Sequence, residues 1–312
     1  MNFLDISAGY EQPLESRGDL PERVHVFDEK SIEAVNAALA ARRPLLVLGE
    51  PGVGKSQLAR AAAAKLRRVY VQHVVDANTE SRDLLWHFDA VQRLADAQAR
   101  DPDGKGLDIR RYIDPGPLWW ALNWSRAIQP ADDLEARQPP PQHKEASAEN
   151  GCVLLIDEID KAEMDVPNGL LEALGEGQFT PQGYKKPVVA DGKHPLVIIT
   201  SNGERSLPPA FRRRCLILRM SLFEAGCQRE TVLIERGRAH FAELDEDVLA
   251  KAARILLRDR DQADEMQQRP LPGQAEYLDL LRVAHTRAKG DKARQLKLLD
   301  DVAEFVVRKH ES

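Results

Sequence analysis

A loop motif, Gly49-Glu50-Pro51-Gly52-Val53-Gly54-Lys55-Ser56, has the G-x-x-x-x-G-K-S spacing of a phosphate-binding loop and sets the class of fold. It follows an apolar segment, Leu45–Leu48, and precedes an alanine-rich segment, Gln57–Lys65. A buried strand, a glycine turn and a helix are the context that this motif requires. Glycines let backbone N–H groups point at a phosphate, and the positive end of the helix dipole favours the same charge. We therefore expect residues 49–57, including Gln57, to bind phosphates, with Lys55 on the β- and γ-phosphates and Ser56 on Mg²⁺.

Two acidic residues follow a second apolar segment. Val153-Leu154-Leu155-Ile156 leads directly into Asp157 and Glu158. A continuous apolar run of this kind indicates a central strand of a parallel sheet, and ligand sites lie at the carboxyl ends of such strands. We assign Asp157 to the Mg²⁺ shell and Glu158 to orienting or deprotonating an attacking water. The alternatives are a helix cap after the strand and, for the loop, a glycine turn with a chance Gly-Lys-Ser.

A third apolar segment, Leu196–Ile199, ends in Thr200-Ser201-Asn202. Because parallel strands share a carboxyl edge, Asn202 is expected to contact the γ-phosphate or the attacking water. Three arginines, Arg212-Arg213-Arg214, then lead into Leu216-Ile217-Leu218. These charges have two interpretations: a solvated surface run, or guanidinium groups offered to a phosphate bound by a neighbouring subunit.

Composition limits the class of protein. The 312 residues suffice for a large domain plus a small one, and the net charge of −6 disfavours non-specific nucleic-acid binding. The three cysteines form no C-x-x-C pattern, which disfavours a disulfide framework or a zinc site. No apolar run approaches the roughly 20 residues of a membrane span, and no basic segment leads into an apolar one at the start. We expect a cytoplasmic protein without a membrane partner.

Three regions are predicted along the chain. They are a flexible arm over residues 1–23, a nucleotide-binding core over 24–220 and an all-α domain over 221–312. Helical periodicity in the last region predicts helices over 222–242, 246–260, 274–288 and 292–309.

Within the core, less regular segments give four further predictions. One helix is expected from Ser81 through Leu94, and an insertion over about 99–117 with a hairpin turn at Asp114-Pro115-Gly116. A loop is expected over about 129–150, where prolines and polar residues cluster. Trp120 and Trp124, one helical turn apart, indicate either core packing or a docking surface for a partner.

Taken together, these motifs give a chain that resembles the AAA+ ATPases, and most closely their MoxR group. The resemblance rests on residues 49–56, 153–174 and 200–214, and it covers about residues 24–285. It implies an α/β P-loop NTPase fold, with a parallel sheet sandwiched by helices and followed by a small all-α lid domain. It also implies ATP and Mg²⁺ bound at the interface between subunits of a homo-oligomer, usually a hexameric ring.

The resemblance also implies residue roles by position. Lys55 and Ser56 correspond to Walker A, Asp157 and Glu158 to Walker B, and Asn202 to the first sensor. Arg214, with Arg213 close behind it, corresponds to the arginine finger. The family acts as a chaperone-like remodeller, often with a von Willebrand factor A-domain partner, and this partner is implied by the resemblance alone.

One departure from the family pattern keeps alternatives open. The lid of this group often carries a sensor arginine in a Ser-Pro-Arg-like turn, but here the place reads Leu271-Pro272-Gly273-Gln274, with Arg269 nearby. A nucleotide-gated recruitment module with little turnover is therefore the first alternative. A DNA-linked GTPase of the restriction type is the second; Asn202–Ser206 favours it, and the acidic charge disfavours it.

Overall fold

The computed structural model describes residues 3–15, 23–98, 108–163, 165–223 and 225–307. In chain order the strands are β1 (Glu11–Leu14), β2 (Arg23–Val26), β3 (Leu45–Leu48), β4 (Arg68–Val74), β5 (Trp86–Phe88), β6 (Ile113–Pro115), β7 (Ser147–Asp157), β8 (Gln178–Phe179), β9 (Val188–Val189), β10 (Leu196–Ser201) and β11 (Leu216–Arg219). The α-helices are α1 (Glu29–Ala41), α2 (Lys55–Lys65), α3 (Ala90–Gln98), α4 (Pro117–Leu122), α5 (Trp124–Ile128), α6 (Asp165–Glu176), α7 (Pro209–Arg214), α8 (Arg229–His240), α9 (Glu246–Glu265), α10 (Gln274–Arg287) and α11 (Lys292–Val306).

The chain divides into two compact units, and each is described by itself. The sheet unit comprises residues 1–6, 30–47 and 59–218, and the helical unit comprises residues 7–29, 48–58 and 219–312. The phosphate-loop motif therefore belongs to the helical unit, although the strand before it and most of the helix after it belong to the sheet unit. The predicted boundaries near residues 23 and 220 stay predictions.

Five parallel strands form the main sheet within the described residues, in the order β11-β3-β10-β7-β4. Val153 pairs with Leu196 and Ile156 with Ile199, so β7 and β10 end side by side. The central residues of β7 and β10 are buried on both faces because helices cover the sheet, which explains their unbroken apolar sequence. The predicted fold class is confirmed.

The segment before the insertion differs from the predicted helix over Ser81–Leu94. Residues 82–85 form turns, β5 pairs antiparallel with β6, and α3 begins only at Ala90. The Gly116 N–H donates to Leu85 O at 2.9 Å and the Leu118 N–H to Leu84 O at 2.8 Å, so these carbonyls bond to the chain beyond β6. Long-range pairing therefore overrides the helical periodicity of the leucines.

The predicted hairpin turn at Asp114-Pro115-Gly116 is wrong. Pro115 ends β6, and Gly116 precedes α4, where a Cβ would lie 2.6 Å from Asp83 O. The remainder of the predicted insertion, residues 99–107, lies outside the described residues. The predicted loop over 129–150 is also too long, because β7 begins at Ser147, which pairs with Arg68. The core interpretation is confirmed for Trp120, of which 7% is exposed, whereas Trp124 is half-buried.

The helical unit contains the four predicted helices, and α8 begins at Arg229 rather than near residue 222. The predicted arm is partly ordered as well, because β1 pairs antiparallel with β2. None of the helices in the described ranges is long and apolar enough to cross a membrane.

A buried histidine makes the stability of the helical unit depend on pH. His25, in β2, is 6% exposed and packs edge-on against Phe27, with ring centroids 4.7 Å apart. Burial lowers the pKa of His25 from 6.5 to about 4, and the nearby Asp28 offsets this only in part. The folded state therefore keeps the ring neutral, while the unfolded state binds a proton below pH 6.5.

We expect the free energy of unfolding to fall as the pH drops from 6.5 toward 4, by about 2 kcal/mol at pH 5 from His25. Urea unfolding followed by circular dichroism at pH 7 and pH 5 measures this change. His25→Phe should lose that part of the pH dependence, and His87→Gln, at an exposed position, should keep it. Equal pH dependence in all three proteins would contradict the assignment.

Candidate functional site

The phosphate loop has the predicted strand–turn–helix geometry. It follows β3, and α2 begins at Lys55. Gly52 and Gly54 have φ angles of +79° and +98°, a region that favours glycine. Lys55 is 6% exposed, and its Nζ donates to Gly49 O at 2.7 Å and to Glu50 O at 2.8 Å. The lysine amine is thus held over the loop by the loop's own carbonyl groups.

Residues of the helical unit pack closely around the loop. Val53 lies in the apolar core that α9 and α10 form. A Cβ on Gly52 would lie 3.2 Å from Ala275 Cβ, and one on Gly49 would lie 2.4 Å from Met220 O. Glycine therefore allows a close approach at both positions, and at Gly52 it also allows the turn itself.

Arg260 connects α9 to the phosphate loop. One guanidinium nitrogen, Nη2, lies 2.6 Å from Glu50 Oε2, and Nη1 donates to Pro272 O at 2.7 Å. The Arg260 side chain is only 13% exposed. The sequence motif does not reveal this residue, because the family pattern has its arginine in the turn at 271–274, whereas Arg260 lies on the helix before that turn. The turn itself lies against the loop, since a Cβ on Gly273 would be 3.6 Å from Pro51 O.

Replacing Arg260 by Met should weaken nucleotide binding about 3- to 10-fold, because Glu50 loses its partner and the loop loses a tether. Fluorescent ATP titration measures the affinity. In a double-mutant cycle with Glu50→Gln, we expect a coupling of up to about 1 kcal/mol, as for a partly exposed pair. Arg258→Met, which removes a 61% exposed arginine of the same helix, is the control. Equal effects of the two arginine variants would contradict the tether.

The carboxyl ends of β7 and β10 are joined by a threonine hydroxyl. Thr200 Oγ1 donates to Asp157 Oδ1 at 2.5 Å and accepts the Glu158 N–H at 2.9 Å. Glu158 has a φ of +61°, so the chain turns sharply directly after the strand. Thr200 is fully buried. The threonine therefore fixes the orientation of the Asp157 carboxylate and the position of the Glu158 backbone.

Glu158 and Asn202 are brought together, as predicted. Asn202 Nδ2 lies 3.5 Å from Glu158 Oε1, and Lys161 Nζ lies 2.7 Å from Glu158 Oε2. The carboxylate raises the pKa of Lys161 through this contact. Glu158 is therefore placed between an amide and an ammonium group at the edge of the sheet.

Asp160 is a further residue that sequence reasoning missed. It is 2% exposed, and Oδ2 accepts the Glu204 N–H at 2.9 Å while Oδ1 lies 3.4 Å from Asn202 N. This carboxylate holds the loop that follows β10 and so positions Asn202. Its place two residues after Glu158 was the available signal, but the interpretation needed the neighbouring strand.

The two candidate arginines lie apart from this network. Arg213 and Arg214 end α7 and are exposed, and neither side chain has an ion-pair or hydrogen-bond partner among the residues the structure describes. Their carbonyl groups are held by Arg43, which donates to Arg213 O and, at 3.1 Å, to Arg214 O. The backbone is thus fixed while both guanidinium groups extend into solvent.

The donor types of the two residues predicted to bind Mg²⁺ fit this ion. A serine hydroxyl at Ser56 and a carboxylate at Asp157 are hard oxygen ligands, which this ion prefers. The described residues contain no group of three or more histidines, cysteines or acids able to hold a metal ion.

Comparisons with known proteins point to one family. The model of the AAA domain, dynein-related subfamily, matches residues 44–215, more than half of the chain. Chaperone protein ClpB of Lactococcus lactis subsp. cremoris is 29% identical over 198 residues, covering 59% of this chain and 18% of that protein. An archaeal Lon protease of Methanothermobacter thermautotrophicus is 40% identical over 60 residues, 18% of this chain and 9% of that protein. The chain thus spans at most about a fifth of the length of these relatives.

Among solved structures, a Thermotoga maritima RuvB mutant superposes with a TM-score of 0.47 at 16% identity, covering 88% of this chain and 68% of that one.

Proposed function

Because the chain belongs to the AAA domain family, dynein-related subfamily, we propose that it binds ATP with Mg²⁺ and hydrolyses the γ-phosphate bond. The observation that supports hydrolysis of ATP, and not only its binding, is the network at the carboxyl ends of β7 and β10. There Thr200 orients Asp157, and Asn202 lies against Glu158. A carboxylate and an amide held at one sheet edge are suited to positioning a water for attack.

Each residue of the proposed site has a role that its chemistry allows. The backbone N–H groups of residues 49–57, other than Pro51, bind phosphate oxygens, and Lys55 contacts the β- and γ-phosphates. Ser56 and Asp157 hold Mg²⁺, which supplies neutralisation of phosphate charge when it is bound. Glu158 accepts a proton from the attacking water or orients it, and Asn202 fixes that water or the γ-phosphate.

We further propose an oligomeric, chaperone-like remodelling motor of the MoxR type. The ClpB relatives are chaperone proteins, which supports remodelling. The guanidinium groups of Arg213 and Arg214 are exposed and have no partner within the described ranges, which suits a residue that completes the site of a neighbouring subunit. A hexameric ring and a von Willebrand factor A-domain partner follow only from the resemblance of the motifs.

Hydrolysis of ATP and of GTP, titrated over protein concentration with Lys55→Ala as the blank, tests the proposal. Specific activity that rises with concentration would support a site completed by a neighbour. Bound ATP with activity equal to the blank at every concentration would favour the nucleotide-gated module instead. Preferential binding and hydrolysis of GTP would favour the restriction-type GTPase.

Removing the finger arginine should abolish most turnover. We expect Arg214→Ala to lower kcat about 10³-fold with ATP affinity retained, because the guanidinium stabilises charge that develops only in the transition state. Arg213→Ala tests the neighbouring candidate, and Arg212→Ala is the matched control on the same exposed helix end.

A mixing experiment tests whether the arginine acts between subunits. Arg214→Ala and Glu158→Gln chains, each inactive alone, should recover activity when combined, since some interfaces then hold both intact residues. If assembled mixtures recover no activity, Arg214 does not act between subunits. A loss of kcat in Arg214→Ala no larger than that in Arg212→Ala would also refute its role as the arginine finger.

A further inference from the structure

The sheet unit has a basic cavity at the edge opposite to the acidic network. Arg68 is the first residue of β4, and Pro195 directly precedes β10, so the amino ends of two strands line it. Arg42, Asn150, Lys193 and His194 also line the cavity. Its volume is about 180 Å³, against about 30 Å³ for one water in the liquid. The cavity therefore has room for a small ion.

Arg68 is a buried cation that has no ion-pair partner among the residues that the structure describes. It is 4% exposed, and Nε has no hydrogen-bond partner within the described ranges. Its Nη1 lies 3.5 Å from His194 O. Burying an unpaired guanidinium is costly, and such groups are normally paired with an anion. Burial accordingly lowers the pKa of Arg68.

An irregularity in β7 lies beside this side chain. The register between β4 and β7 shifts directly after Arg68, so that Arg68 pairs with Ser147 but Val69 pairs with Cys152. Gly151, inside the shifted segment, has a φ of +96°, and a Cβ there would lie 3.6 Å from Arg68 Cζ. Bulges of this kind often lie next to binding sites, where they redirect side chains.

The charges that line the cavity have one sign. Arg42, Arg68 and Lys193 are cationic, and no aspartate or glutamate lines it in the described part of the chain. Burial lowers the pKa of His194, so that ring is neutral at pH 7. Three cations around a small cavity match a dianion better than a single carboxylate, and guanidinium hydrogen bonds suit tetrahedral oxyanions.

We propose that this cavity binds a phosphate-class oxyanion, either inorganic phosphate or a phosphomonoester. Arg68 donates to the anion from the buried side, and Lys193 and Arg42 neutralise its charge at the rim. The proposal is independent of nucleotide hydrolysis, because the lining residues are not those of the phosphate loop or the acidic network.

Calorimetric titration of the Lys55→Ala chain with inorganic phosphate, at fixed ionic strength, tests the site without the lysine of the phosphate loop. We expect binding with a Kd of about 1 mM or tighter, and at least about tenfold weaker binding of acetate. Glycerol 1-phosphate, titrated in parallel, distinguishes the two sources: tighter binding than inorganic phosphate indicates a phosphomonoester, and weaker binding indicates the free ion.

Variants in the same background locate the binding. Arg68→Met should weaken phosphate binding at least about tenfold, as expected for loss of a charge-assisted contact. Lys193→Glu, at an exposed position, tests the rim without disturbing the core, and Lys185→Ala is the exposed control. Absence of binding at millimolar phosphate, or binding unchanged in Lys193→Glu, would overturn the proposal. So would acetate binding as tight as that of phosphate.

Discussion

Replacement of Glu158 by Gln is expected to lower kcat for ATP about 10²- to 10⁴-fold with ATP affinity nearly unchanged. The amide keeps the shape of the side chain and a contact to Asn202, but it accepts no proton from water. Single-turnover hydrolysis and equilibrium binding, measured on the same preparation, separate these two effects.

Two controls make this result specific. Glu163→Gln changes an exposed acid of the same segment and should leave kcat within about twofold. Lys161→Met removes the ion-pair partner of Glu158. If Glu158 served only this ion pair, Glu158→Gln and Lys161→Met would have equal effects on stability and none on kcat. If Glu158→Gln retains turnover, the assignment of Glu158 as the catalytic carboxylate is wrong.

Replacement of Thr200 by Val is expected to reduce both stability and turnover. Valine fills the same volume, but Asp157 Oδ1 loses a donor and the Glu158 N–H loses an acceptor. A buried polar group left without its partner costs about 1–3 kcal/mol. We expect kcat to fall at least about tenfold, because a small displacement of the two carboxylates would misalign the proposed metal ligand and the proposed base.

Thr200→Ser provides the matched comparison, since it keeps the hydroxyl and removes only a methyl group. Its kcat should stay within a few-fold of the wild-type value, and the Mg²⁺ concentration for half-maximal activity should be higher in Thr200→Val than in Thr200→Ser. A purely structural threonine would change the unfolding midpoint in both variants and leave the Mg²⁺ dependence unchanged.

The strands and the loop motif could be predicted because their signals are local. An unbroken apolar run such as Val153–Ile156 identifies a strand buried on both faces, and a glycine motif between a strand and a helix identifies a phosphate loop. Asn202 and Glu158 could also be placed together, because each follows such a strand and the carboxyl ends of parallel strands share one edge.

Other features depended on contacts between distant parts of the sequence. The leucines at positions 84 and 85 follow a helical pattern, but their carbonyl groups bond to residues beyond β6. Thr200 and Asp160 stand within or beside recognised motifs, yet their roles appear only when β10 lies beside β7. Arg260 contacts Glu50 across 210 positions of sequence, a separation at which local pattern carries no information.

Because the phosphate loop packs within the helical unit, a ligand on the loop should change how often this unit unfolds and exposes its backbone amides to solvent. Val53 shares the core of α9 and α10, and Gly52 approaches Ala275. A ligand bound by the loop stabilises the cooperative unit that contains the loop, by about 2.7 kcal/mol at a hundredfold excess over Kd. Backbone amides whose exchange requires unfolding of α9 and α10 would then exchange about a hundredfold more slowly. Amide exchange in the helices beyond residue 219 would thus report whether a ligand is bound to the loop, although the loop motif itself ends at residue 56.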